Sequence, residues 1–249
     1  MTEKRQLQAK YDQQNRLASM GQMAAQLAHQ IRTPISAALL YASHLKSPNL
    51  DNDKRLRFAD KILTRIQSLE QLINDMLLFS RNGMEHRESI SVQQLLNELQ
   101  QNIVLPESNQ AINLSFNYKP ENTFFISGNR SLLISGLVNL VNNALHAVKT
   151  NNDRAAKVTI NVSQPIHGAI DFTIIDNGVG ISSEDETKIF EPFYTTKNNG
   201  TGLGLAVVKA IANAHDGELW LESSSTKAEA SGSVFRMRIP TQIQNLHKK

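Results

Sequence analysis

A chain of 249 residues with 40% apolar and 20% charged side chains has material for one large globular domain or two ordinary ones. The absence of cysteine excludes disulfides, Cys-ligated zinc and thiol catalysis, and fits a reducing compartment. The net charge of +3 is mild, and no Lys/Arg cluster with interleaved aromatics marks a nucleic-acid surface.

The polar stretch Met1–Lys10 lacks a signal-peptide core, and no apolar run reaches the roughly 20 residues of a bilayer crossing. The expectation is a cytoplasmic chain with no membrane span. Residues 3–46 read as one long helix. Its first turns have little apolar face, and residues 1–14 read as an entering signalling helix or a frayed end. Beyond it Leu17, Ala24, Ile31, Ala38 and Leu45 recur every seven residues, with Met20, Leu27, Pro34 and Tyr41 at the alternate steps. That is the seam of a helix packed against partner helices. His29 falls between seam positions and points to solvent, with Thr33 one turn later on the same face. Pro34 removes a backbone donor and predicts a bend just beyond. Taken alone, a solvent-facing histidine is an ordinary surface residue.

Residues 46–53, with Pro48 and an Asp/Asn cluster, predict a turn, and Asp51 or Asp53 can cap the next helix. From Lys54 to Arg81 a second stripe runs through Ala59, Ile62, Ile66, Leu69, Ile73 and Met76, widened by Leu63, Leu72 and Leu77. A lone hairpin cannot bury two such stripes. Two hairpins paired as a dimeric four-helix bundle can, and packing on the C-terminal half of the same chain is the alternative. The pattern lapses over Arg81–Glu88, where Asn82-Gly83 is a breaker and a domain boundary is expected. The texture then becomes mixed. Helices are expected at 91–102, 130–149 and 203–215, and strands at 111–118, 123–126, 157–163, 169–175, 218–222 and 233–239.

Four stretches of this second half make chemical sense together. Asn139 and Asn143 stand at i and i+4, so both carboxamides reach one helix face, and an amide oxygen is a hard ligand suited to Mg2+. Asp176-Asn177-Gly178-Val179-Gly180 ends an apolar strand, where a carboxylate can accept a hydrogen bond from an exocyclic amine such as that of adenine. Gly200-Thr201-Gly202-Leu203-Gly204-Leu205 opens a helix whose first N–H groups can face phosphate. No strand directly precedes it, as a dinucleotide fingerprint needs, and it lacks the ending of a P-loop. Between them Phe190-Glu191-Pro192-Phe193 offers aromatic anchors for a movable segment, and Lys197 can approach phosphate. Each stretch alone has a plain structural reading: a buried Asn pair, a β-turn, a flexible loop, a loop packed on the core.

In this order the stretches resemble the N, G1, F and G2 boxes of sensor histidine kinases, and the run His29-Gln30-Ile31-Arg32-Thr33-Pro34 resembles the H box. The resemblance covers about residues 15–240. It implies an α+β protein: a helical-hairpin dimerisation and phosphoacceptor domain (15–82) that forms a dimeric four-helix bundle, then a Bergerat-type α/β-sandwich ATPase domain (88–241), then a polar tail (242–249). It further implies a homodimer in which ATP with Mg2+ phosphorylates His29, and a response regulator receiver domain whose aspartate takes the phosphoryl group. Carried over by position, Asn143 is the Mg2+ ligand with Asn139 in support, Asp176 reads adenine, and Gly178, Gly180, Gly200, Thr201, Gly202, Leu203 and Gly204 shape the pocket and its lid. His146 stands where the family often has a basic residue near phosphate. Thr33 stands at the place associated with dephosphorylating the regulator. The His29 stretch is most similar to soluble flagellar-regulatory sensor kinases, which work with sigma-54-dependent activators. Gln30 departs from the family pattern, which often has a carboxylate there. An amide oxygen can fix the imidazole tautomer but stabilises the imidazolium less. That leaves open a non-catalytic dimeric adaptor. Other ATPases of the same nucleotide fold lack the histidine-bearing bundle.

Overall fold

The computed structural model describes residues 24–48, 50–80, 87–105, 111–118, 124–149, 155–163, 167–197, 200–227 and 231–241. The expectations for residues 1–14, Leu17, Met20, Asn82-Gly83 and the tail 242–249 lie outside them. The described residues fall into two compact units, residues 1–82 with 195–203, and residues 83–194 with 204–249.

In the first unit helix α1 (Ala24–Leu45) packs against α2 (Asn52–Ser80). Asp51 starts α2: its carboxylate accepts the Asp53 N–H at 3.0 Å and its carbonyl accepts the Arg55 N–H at 3.0 Å. Helix α1 continues through Pro34, although proline has no N–H to offer the Gln30 carbonyl. The predicted seam is the covered side of α1: Leu27 is buried, and Ile31, Pro34, Ala38, Tyr41 and Leu45 are half-buried. The broad stripe of α2 divides in two. Leu72 is buried and Ala59, Ile62, Leu69 and Met76 are half-buried, whereas Leu63, Ile66, Ile73 and Leu77 are exposed. Tyr41 stacks on Phe58 at 5.9 Å between centroids, and the Lys61 ammonium sits 5.1 Å from the Tyr41 centroid.

The second unit is a five-stranded mixed sheet under three helices. Strands β2 (Ile112–Asn117), β4 (Ala156–Val162), β5 (Ala169–Asp176), β7 (Gly232–Pro240) and β6 (Glu218–Ser225) lie in the order β2-β4-β5-β7-β6. Only β2 and β4 are parallel. Alternation along the strands sends Ile170, Phe172 and Ile174 of β5 and Phe235, Met237 and Ile239 of β7 into the core. Helices α3 (Val92–Asn102), α4 (Arg130–Lys149) and α5 (Gly204–Ala214) cover that core, α4 lying on β4, β5 and β7. Among the described residues α4 alone is long and apolar enough to cross a bilayer, but half of that stretch is buried inside this unit, as befits a core helix. A short strand β1 (Glu88–Ser91) pairs antiparallel with β3 (Phe125–Gly128). It begins at Glu88, the last residue of the expected break, and takes Ser91, the first residue of the helix expected at 91. Strand β6 runs to Ser225, beyond the expected Glu222, through a register shift between Leu221 and Ser223.

On the far face of the sheet Asp171 is buried, its carboxylate accepting from Arg238 Nε at 2.7 Å, Arg238 Nη2 at 2.8 Å and Arg236 Nη1 at 3.1 Å. The hydrogen bond from Arg238 holds this carboxyl below the usual carboxylate range, against the opposing effect of burial. Arg238 also lies 5.2 Å from the Trp220 centroid.

Candidate functional site

His29 and Thr33 are both exposed on α1, as the spacing requires. The Thr33 hydroxyl donates to the His29 carbonyl at 3.0 Å, which fixes its rotamer one turn beyond the imidazole. Gln30 is half-buried, and its carboxamide oxygen has no hydrogen-bond partner among the described residues.

In the second unit α4 presents Asn139 and Asn143, both half-buried, to the start of α5. A methyl group added at Gly204 would lie 2.9 Å from Asn139 Oδ1 and 3.8 Å from Asn143 Nδ2. Glycine therefore lets the helix start, whose first N–H groups have no intrahelical acceptor, come directly against the carboxamide pair. His146 follows on the same helix, exposed.

Strand β5 delivers Asp176 to the end of the sheet, where it is 6% exposed and accepts the Gly178 N–H at 2.9 Å. The loop after it is held down by Asn177. Its carboxamide accepts the Lys157 N–H at 2.7 Å and donates to the Ala155 carbonyl at 2.9 Å, extending the β4–β5 pairing by side chain. Sequence reasoning missed this residue; an amide able both to donate and to accept, at a strand end before glycine, was the signal. A methyl group at Gly178 would lie 2.5 Å from the Ala147 carbonyl carbon, so the loop rests on the last turn of α4. Gly180 has a φ of 73°, and a methyl group there would lie 1.9 Å from the Ser225 carbonyl oxygen.

The aromatic segment is anchored as expected. Phe190 meets Phe235 edge to face at 6.4 Å, with the Lys209 ammonium 5.1 Å from the Phe190 centroid. Phe193 is buried with φ at 67°, a left-handed conformation that a bulky side chain adopts at a cost of ~1–3 kcal/mol. Tyr194 donates to Asp185, which also accepts from Ser182 Oγ at 2.7 Å. That bond from Tyr194 lowers the Asp185 carboxyl and raises the Tyr194 phenol.

Residues 195–203 group with the helical unit. There Gly200 N–H donates to the Lys197 carbonyl at 3.1 Å, and Lys197 is exposed. Thr201 Oγ1 accepts the Leu203 N–H at 3.3 Å and donates to the buried Asp75 at 3.3 Å. Gly202 has a φ of 66°, and Leu203 is buried. Of the expected site residues, Asn139, Asn143 and Gly204 thus come together, with Asp176, Gly178 and Gly180 in the same unit. His29, Lys197 and Gly200 to Leu203 belong to the other.

A helix start against two carboxamides suits a polyphosphate with a divalent cation. Mg2+ takes few protein ligands and fills its octahedron with phosphate oxygens and water. Among the described residues no group of three or more His, Cys, Asp or Glu could hold a metal ion. The carboxamide set is consistent with Mg2+ bound together with phosphate.

Residues 19–85 match the His Kinase A (phospho-acceptor) domain, and residues 128–243 match the histidine kinase-, DNA gyrase B-, and HSP90-like ATPase family. The chain is 36% identical over 223 residues to the sensor protein kinase FleS of Pseudomonas aeruginosa, covering 90% of this chain and 54% of that one. It is 31% identical over 214 residues to the sensor histidine kinase FlgS of Helicobacter pylori, covering 86% of this chain and 54% of that relative. The chain spans about half the length of these relatives. Its fold is similar to that of the histidine kinase ThkA solved in complex with the response regulator protein TrrA. The TM-score is 0.72 at 23% identity, over 97% of this chain and 68% of that one.

Proposed function

The chain belongs to the sensor histidine kinase family, and on that premise we propose that it moves the γ-phosphoryl group of ATP to His29 and then to an aspartate of a response regulator receiver domain. The observation that carries this reading is the exposed His29 on a helix matching the phosphoacceptor domain, in one chain with a carboxamide pair facing the helix start at Gly204. We assign residues 15–82 to dimerisation and phosphoacceptance and residues 88–241 to ATP binding.

An imidazole nitrogen of His29 attacks the γ-phosphorus, the bond to the β-phosphate oxygen breaks, and ADP leaves. The other ring nitrogen can donate to the Gln30 carboxamide oxygen, which fixes the tautomer without offering a counter-charge. Asp176 accepts the adenine amine, while Gly178 and Gly180 let the backbone close on the base. Asn143, supported by Asn139, would hold Mg2+, which when bound neutralises the phosphate charge. By the resemblance, Gly200, Thr201, Gly202, Leu203 and Gly204 would shape the lid over the phosphates, the helix start at Gly204 would offer its first N–H groups, and Lys197 and His146 would add polar reach.

The exposed stripes of α1 and α2 support a homodimer that completes a four-helix bundle. We assign the receiver domain to a sigma-54-dependent activator, on the likeness of the His29 stretch to flagellar-regulatory kinases, and we place the chain in the cytoplasm, where ATP is supplied. Incubation with γ-labelled ATP and Mg2+ is expected to label the protein in an acid-labile, alkali-stable form. No label, or acid-stable label, would sink the reading.

A further inference from the structure

We propose that His215 is a positioning residue of the nucleotide site, its imidazole locking the C-terminal end of α5 to the N-terminal cap of α4 and so setting Gly204 against the Asn139–Asn143 pair. This rests on the reading of that pair as the ATP and Mg2+ site.

His215 is 1% exposed, just past the end of α5. Its Nε2 lies 3.0 Å from the Asn129 backbone nitrogen, and its Nδ1 lies 2.7 Å from the Ile211 carbonyl. The Asn129 N–H can only donate, so Nε2 must be the acceptor and Nδ1 must carry the proton. One neutral tautomer satisfies both partners. Asn129 is in turn the cap of α4: its side-chain oxygen accepts the Leu132 N–H at 3.2 Å and its carbonyl accepts the Leu133 N–H at 3.1 Å. The ring is seated without slack, since a methyl group at Gly128 would lie 2.5 Å from His215 Cδ2.

The two helices run side by side in opposite directions, and contacts at three levels mark their register. At one end His215 holds Asn129. In the middle Ile211 packs on Gly136, where a methyl group would lie 3.5 Å from Ile211 Cδ1. At the other end Gly204 faces Asn139, where a methyl group would lie 2.9 Å from Asn139 Oδ1 and would push the carboxamide aside. Helix α5 is stiff over roughly 15 Å, so a slip at His215 reappears at Gly204. There the first N–H groups of α5 would leave their alignment with the carboxamides.

The charged groups beside the ring are Arg87 and Asp216, paired with each other at 2.8 Å, and Arg87 also donates to the Ala214 carbonyl. Burial pushes the His215 pKa down, the Arg87 charge pushes the same way, and the Ile211 carbonyl and Asp216 oppose. A depressed imidazole contributes stability that is present above its ordinary value of about 6.5 and lost as pH falls through the folded value. Protonation would also set a new Nε2–H against the Asn129 N–H, donor against donor. The wedge that holds α5 in register is thereby removed by acid.

The test uses the full chain with His215→Leu and His215→Gln. Gln carries an oxygen at the reach of Nε2; Leu fills the space and accepts nothing. Dissociation constants for Mg-ATP are measured by calorimetry from pH 8 to pH 5.5, with the melting of each variant followed by circular dichroism. At pH 8 the Leu variant is expected to bind roughly 3–10-fold more weakly, the factor carried by one neutral hydrogen bond, and the Gln variant within about 2-fold of wild type. As pH falls, the ratio of the wild-type constant to that of the Gln variant should rise, a ratio that cancels the titration of the nucleotide itself. A flat ratio overturns the proposal, even where the Leu variant does not fold. A folded Leu variant with wild-type affinity also overturns it. Failure of wild type to bind Mg-ATP at pH 8 overturns the site reading and this one with it, whereas wild-type binding that ignores His215 defeats this one alone.

Discussion

The two units of this chain bury their apolar residues to different degrees. In the sandwich, the inward residues of β5 and β7 are buried under α3, α4 and α5, and its core closes within one chain. In the hairpin, Ile35, Leu39 and Leu40 of α1 and Leu56, Leu63, Ile66, Ile73 and Leu77 of α2 remain exposed after the two helices have packed. Eight large apolar side chains left exposed on one hairpin point to an interaction surface. The hairpin reads as half of a core, the sandwich as a whole one. Damage to one should therefore leave the other's property standing, and the substitutions below test that separation.

The largest effect is expected at His29. His29→Ala should abolish phosphoryl incorporation while Mg-ATP binding to the sandwich stays as in wild type. Label retained on the variant would remove His29 from the reaction.

Next comes the exposed stripe of α2. Were it ordinary surface, Leu63→Asp with Ile73→Asp would change stability by no more than about 0.5 kcal/mol per site. If it is a dimer core, two buried unpaired charges per chain should convert the protein to monomer, as read by light scattering. Melting of the sandwich should stay unchanged. A variant that remains dimeric would break the contrast between the units.

Within the sandwich, Asn143→Ala should weaken Mg-ATP binding roughly 10–150-fold, from ~1.5–3 kcal/mol for a contact to a charged group. Calorimetry is the check, and unchanged affinity with Mg2+ present would refute the ligand role.

What could be read from sequence follows the same division. Arg130–Lys149 was legible because its Asn pair and its apolar face obey one helical period. The hairpin's seam was legible for the same reason, and so was the exposed place of His29. Strand β1 was not, because its partner β3 lies far downstream and nothing local distinguishes Glu88–Ser91 from a loop. His215 gave no local signal either: its acceptor role comes from Asn129, 86 residues away. Asp171 was hidden in an apolar strand, and only the strand order sets Arg236 and Arg238 beside it. Contacts made by topology leave no period.

A smaller effect concerns that cluster. The lowered Asp171 carboxyl contributes stability above its ordinary value of about 3.9, lost as pH falls through the folded value. Asp171→Asn keeps one accepting oxygen, and its arginines are partly exposed, so the loss at pH 7 should be about 1–2 kcal/mol. The difference from wild type should shrink toward pH 3 in denaturant titrations. A constant gap would show that the charge of Asp171 is not what matters.

The smallest expected effect sharpens the hairpin's side of the contrast, because it concerns a hydroxyl on its solvent face. Thr33 spends its proton on the His29 carbonyl, so its lone pairs remain, pointing outward beside the imidazole. A hydroxyl is too weak a base to activate water, but it can hold one in line with the acyl phosphate of a docked receiver domain. We propose that Thr33 serves the removal of phosphate from the regulator and not its addition. Thr33→Ala should then leave His29 labelling and phosphotransfer near wild type and slow regulator dephosphorylation roughly 3–10-fold, the worth of one neutral hydrogen bond. Thr33→Ser keeps the hydroxyl and should restore the rate. The assay begins with phosphorylated regulator and adds unphosphorylated kinase with ADP. Equal decay with wild type and Thr33→Ala would make the hydroxyl a helix-stabilising contact beside Pro34, and the phosphatase role would fall.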